Sequence, residues 1–222
     1  MRLRRAEVVE GYPAELQRFE DLLRSLSDAE WQAGTRCDGW VVADVAAHVT
    51  GTLAAITEGR IEDLADPAKV DALVTDRRGR SRDEGIDEFA KVAASVPPLL
   101  DVFDDESWSA AAPGGVAASI GEGVEALWYD TFVHSEDIRA ALGRPSERPQ
   151  DSVRVSIGHL ADVLQGQEWG PATLAFDGLE EFAVGDGSGR KVTGDPYEFI
   201  NIATGRADPA TLGLDETVNV YR

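Results

Sequence analysis

A chain of 222 residues with 41 acidic against 21 basic side chains, a formal charge of −20, is long enough to bury one or two cores and is repelled by phosphate backbones and anionic lipid alike. Neither nucleic acid nor a membrane is therefore an expected partner, and no run of about 18 apolar residues occurs. A single cysteine, Cys37, rules out an internal disulfide framework. No charged segment followed by an apolar one opens the chain, so a soluble cytoplasmic protein is expected.

In chain order, the stretch beginning "PAELQRFEDLL" places Leu16, Phe19, Leu22, Leu23 and Leu26 at the three- and four-residue spacing of an amphipathic helix. "TRCDGW" interrupts the pattern at Gly39, and "VVADVAAHVTGTLAAI" resumes it through Val42, Val45, Val49, Leu53 and Ile56. A weaker helical segment over 62–75 and a stronger one over 84–103 follow, separated by "DRRGRSRDEG", with a kink expected at Pro97 and Pro98. After "SAAAPGG", residues 119–142 carry Ile120, Val124, Leu127, Thr131, His134, Ile138 and Ala141 along one inward seam. Residues 1–147 thus predict an up-down four-helix bundle.

Beyond "GRPSERP" the texture changes, and residues 148–222 predict a small α+β domain, making the whole chain α+β. Leu174 and Phe176, Phe182 and Val184, and Val218 and Val220 alternate as in short half-buried strands. "DPYEFINIATG" predicts a helix capped by Asp195, with Pro196 in its first position, Glu198 completing a capping box and Gly205 ending it.

Of the three histidines, His48 and His134 lie on interior faces of predicted bundle helices, and His159 near the junction of the two parts has no matching partner. Asp130 and His134 are four apart and share a helix face. Two imidazoles and a carboxylate converging in a bundle core form a three-ligand set for a divalent ion that keeps open positions. Hydrogen-bonded core histidines are the competing reading. Asp44, four residues before His48, is a rival carboxylate, but a first-turn aspartate has a sufficient role as cap and counter-charge to the helix dipole.

"CDGWVVADVAAHVTG" resembles the entry to the second helix in the mycothiol-dependent maleylpyruvate isomerase family, of the DinB-like metal-binding bundle superfamily, and "WYDTFVHSEDIRAALGRP" resembles its fourth-helix motif. The resemblance implies that His48, Asp130 and His134 bind zinc or a related divalent ion. It also implies mycothiol as thiol cosubstrate, with a small electrophile or unsaturated acid as its partner, in an isomerisation of the maleylpyruvate type or a thiol transfer. A DinB-like protein that binds metal or a small molecule without catalysis is the alternative, and a monomer or homodimer fits either. Two positions depart from the family pattern: Asp130 stands where glutamate is usual, and Val41 where a hydroxyl residue often caps the helix.

Arg206 in "ATGR" matches a family position from which an arginine reaches the active cleft, and a planar guanidinium suits a carboxylate. Arg77, Arg78, Arg80 and Arg82 form a second basic cluster, read as a solvated loop. Cys37 reads as a packing residue. Asp137 is placed to orient His134, and Glu136 is expected to face water.

Overall fold

A computed structural model describes residues 3–115 and 117–222. Two compact units emerge, Arg4–Glu147 and Arg148–Arg222, the latter with Leu3. In the first, the helices are α1 (Arg5–Arg24), α2 (Asp28–Trp31), α3 (Val42–Thr57), α4 (Pro67–Thr75), α5 (Arg82–Ala93), α6 (Val96–Asp101), α7 (Asp105–Ser109) and α8 (Ile120–Ala141). The long helices form the expected bundle: α3 packs on α4, α5 and α8, and α1 on α8 and α5.

α1 begins eight residues before the predicted start and carries Pro13 inside it. Val8 and Tyr12 extend the apolar stripe of Leu16, Phe19 and Leu23, and their burial outweighs the backbone bond that proline forfeits. "SDAEW" separates from α1 because Ser27 and Glu30 build a reciprocal capping box for α2. The predicted 84–103 helix is two helices, α5 and α6, since Pro97 and Pro98 lack donors and suit only the first turn of a new one. The segment over 62–75 likewise divides into a 3-10 turn, Ile61–Ala65, and α4, which Asp66 caps.

The inward seam predicted for α8 is divided. Val124, Thr131 and Ile138 are buried, as are Trp128 and Phe132, whereas Leu127 and His134 are half-buried and belong to a second, more open face.

The second unit opens with α9 (Gln150–Gly166), a helix that the sequence reading does not anticipate. Val153, Ile157, Leu160 and Leu164 form its buried stripe, but "SVRVSI" alternates like a strand and masks the helical period. β1 (Ala172–Leu174) is the central strand of a three-stranded sheet, antiparallel to β2 (Phe182–Val184) and parallel to β3 (Arg190–Val192). Helix α10 (Pro196–Ala203) has the Asp195 cap and, after Thr204, the left-handed Gly205 that end-cap geometry requires. Val218 and Val220 form no strand: Glu216–Val218 is a 3-10 turn capped by Asp215, and the Val220 N–H donates to the carbonyl of Ala203.

In α1, Gly11 lies flat against the indole of Trp128, where any Cβ would collide with the ring. Gly11→Ala gains about 1 kcal/mol in helix propensity but overpacks Trp128, a cost of about 1–3 kcal/mol. The substitution is expected to lower the Tm; an unchanged or raised Tm in thermal unfolding contradicts that packing.

Candidate metal centre

α3 and α8 meet along their middles, which brings His48 from one and Asp130 and His134 from the other to a common point. Asp130 Oδ1 lies 3.4 Å from Nε2 of His48 and 3.4 Å from Nε2 of His134. The imidazole rings are 5.0 Å apart, edge to face. These polar separations exceed ordinary hydrogen-bond lengths. They match the edge of a tetrahedron, for two donor atoms each about 2.1 Å from a central ion lie about 3.4 Å apart. The donor chemistry fits as well, since two imidazoles and a carboxylate form a set that a zinc-like ion accepts while keeping an open position. All three side chains retain some exposure, 14% for His48, 12% for His134 and 27% for Asp130, so the point of convergence is open to solvent on one side.

A second layer orients the first. Asp137, fully buried, accepts from Nδ1 of His134 at 2.9 Å, which leaves the Nε2 lone pair directed at the cluster. The Cys37 thiol donates to that same oxygen at 3.2 Å, and the other carboxylate oxygen takes the Arg36 Nε at 2.6 Å. Arg36, Cys37 and Trp40 are presented by a tight loop, in which Thr35 N–H donates to the Trp40 carbonyl and Gly39 supplies a positive φ at the turn. The indole of Trp40 packs 5.2 Å from the His48 ring and 6.3 Å from that of His134. Among the described residues the buried Nδ1 of His48 has no hydrogen-bond partner, so packing rather than a second-layer carboxylate orients it.

Cys37, His134 and Asp137 form another set of converging ligand atoms. It is the poorer cation site, because Arg36 already neutralises Asp137 and brings a positive charge beside it. The rival Asp44 is engaged elsewhere: one oxygen accepts the Val41 N–H at 3.2 Å, as a cap does, and the other takes Arg78 at 2.9 Å. Arg77 and Arg80 share Glu88, and Arg82 pairs with Asp83. Arg206 lies just after α10 in the second unit, donating to the Thr204 carbonyl at 3.2 Å, and His159 lies on α9.

Glu136 departs from expectation. It is 2% exposed rather than facing water, because the chain after α8 folds back over it and the Glu147 N–H donates to its carboxylate at 3.1 Å. Asp137 orients His134 as its i,i+3 spacing suggests, whereas Arg36 was not singled out in the sequence. The signal available for it was a lone cation two residues before the Gly39 turn region and close to the helix that carries His48.

A sequence model of the mycothiol maleylpyruvate isomerase N-terminal domain matches residues 12–139, more than half of the chain. The chain belongs to that family. Two solved structures, the mycothiol-dependent maleylpyruvate isomerase and a histidine-to-alanine mutant of it, are similar with TM-scores of 0.71 and 0.70 at 14% identity. In each case the similarity covers 92% of this chain and 90% of the other, so the mycothiol maleylpyruvate isomerase N-terminal domain is shared here together with the fold of the remainder. No curated protein matches the sequence.

The electrostatics of the cluster are strongly coupled. Burial by itself raises the Asp130 pKa, but the charges of His48 and His134 overcome it and hold the carboxyl far below its usual range. For His134 burial disfavours the imidazolium, yet the Asp130 charge and the hydrogen bond that its ring donates to Asp137 raise its pKa well above 6.5.

A raised native pKa contributes stability that is fully present below the unfolded-state value and is lost as pH rises through the native value. Metal-free protein is therefore expected to lose stability from neutral to alkaline pH by a component that His134→Asn abolishes. The depressed Asp130 contributes in the opposite sense, present above its unfolded value near 3.8 and lost only in strong acid. Thermal unfolding of chelator-treated wild type and His134→Asn across this range checks the sign; parallel pH profiles contradict it.

Proposed function

We propose that the chain is a divalent-metal enzyme that uses mycothiol, acting as an isomerase of the maleylpyruvate type or as a thiol S-transferase in the cytoplasm. The observation that carries the reading is the pair of 3.4 Å edges joining Asp130 Oδ1 to the two Nε2 atoms, in a chain of the mycothiol maleylpyruvate isomerase N-terminal domain family. Zinc is the ion that this donor set suits best. When bound, such an ion supplies positive charge that lowers the pKa of an adjacent thiol, and the thiolate is the nucleophile.

The chain's own residues have distinct tasks in this reading. His48 and His134 supply neutral donors, and Asp130 the negative charge that partly offsets a divalent ion. Asp137 fixes the His134 tautomer, and Arg36 pairs with Asp137 and keeps it in place. Trp40 covers the two imidazoles and limits water on that side. From the second unit we assign Arg206 to an anionic group of the substrate or thiol, on the grounds of its guanidinium geometry and its position after α10.

Protein purified without chelator is expected to carry about one divalent ion per chain, absent from His48→Ala and His134→Ala. Asp130→Asn removes the compensating charge while nearly keeping the shape, and is expected to weaken metal binding at least tenfold, or about 1.4 kcal/mol. Asp44→Asn leaves binding unchanged and costs about 0.3–1 kcal/mol in stability as a lost charge at the helix start. Metal titration decides between the two aspartates, and thiol-consumption assays with mycothiol decide activity. Full metal content in both histidine variants overturns the site.

A further inference from the structure

The open face of α8 carries Gly123, Leu127, Asp130 and His134 at four-, three- and four-residue spacing, all of them half-buried. On α3 the residues His48, Thr52 and Ile56 follow one another at four-residue spacing. These stripes run from the histidines to a cavity of about 490 Å³, whose wall includes Leu53, Ile56, Leu99, Phe103 and Leu127. Leu127 is three residues from Asp130, a helical rise of about 4.5 Å. Tyr12, fully buried, lines the cavity as well.

The volume is that of a pocket for a small organic molecule, for which about 300–1,000 Å³ is typical. Among the described residues its lining contains no lysine, arginine or histidine, and its one carboxylate is the exposed Glu62. A carboxylate placed there finds no cation and meets a like charge, and a hydrophilic thiol finds few partners for its polar groups. An uncharged aliphatic or aromatic skeleton meets neither penalty.

We propose that this cavity holds the uncharged, apolar body of the electrophilic cosubstrate, with its reactive carbon directed toward Asp130 and the two histidines. The inference rests on the mycothiol reading and narrows its substrate class. For an aryl halide, the thiol sulfur forms a C–S bond, the halide leaves with the bonding pair, and the thiol proton passes to water; no oxidant or reductant is required.

Gly123 provides a clean way to fill the space. A Cβ built there meets only the Cβ of Ala117, at 3.7 Å, an ordinary contact, and its φ is not positive, so a side chain can start from this position in Gly123→Leu. It also improves helix propensity. Leu99→Glu, at a half-buried position on α6, places a charge in the cavity by a separate route.

The test uses the full chain as purified, with N-phenylnaphthylamine as a neutral fluorescent probe and a chloronitroarene with mycothiol as the reacting pair. The wild type is expected to bind the probe, and both variants to bind it at least about tenfold more weakly with unchanged metal content. The probe should inhibit turnover competitively against the chloronitroarene and not against mycothiol. Absence of probe binding, retention of binding in both variants, or competition with mycothiol instead overturns the proposal. Probe binding without thiol consumption by any electrophile identifies failure of the mycothiol reading itself and removes the electrophile assignment with it.

Discussion

A carboxylate held between two imidazoles, Asp130 between His48 and His134, is the interaction around which the candidate site of the first unit is built. With both histidines neutral, Asp130 and Asp137 contribute two negative charges and Arg36 one positive, so the assembly carries a formal charge of −1 within a protein already at −20. A site of that kind takes up positive charge in one of two forms. A proton on His134 is the first, which is why its pKa lies well above the usual imidazole value. A divalent cation is the second, and the two compete because both occupy the Nε2 lone pair.

That competition explains the division of labour between the carboxylates. Asp137 is fully buried and neutralised by Arg36, so it orients without attracting a second cation. Asp130 is more exposed and has no arginine or lysine within salt-bridge distance among the described residues, so its charge remains available. Its oxygen stands equidistant from both Nε2 atoms.

The bundle helices and the cluster were legible because they obey one rule, the helical period. Val42 through Ile56 and Ile120 through Ala141 announce two helices, and His48, Asp130 and His134 follow from the same spacing, as does Asp137 one turn from His134. What depended on distant chain segments was not legible. Glu136 is buried because residues after Gly143 fold back over it, Arg36 acts through a loop, and the apolar cavity draws its wall from four helices and the 3-10 segment at Ile61–Ala65. Helix α9 was hidden by the local alternation of Val153, Val155 and Ile157, and the pattern of Val218 and Val220 reflected two separate anchoring contacts rather than a strand.

Charge bears on the choice of substrate at two ranges. At distances beyond a Debye length of about 8 Å the field of the protein is largely screened, so for a small ligand the charges beside the binding position decide. Nearer than that, a small dianion in the cavity meets the like charge of Glu62, and the described lining offers it no cation. An uncharged skeleton is indifferent to that field and gains from leaving water, since the wall offered by Leu53, Ile56, Leu99, Phe103 and Leu127 is apolar. Along α8 the surface thus changes from charged at Asp130 to apolar at Leu127 within less than one helical turn.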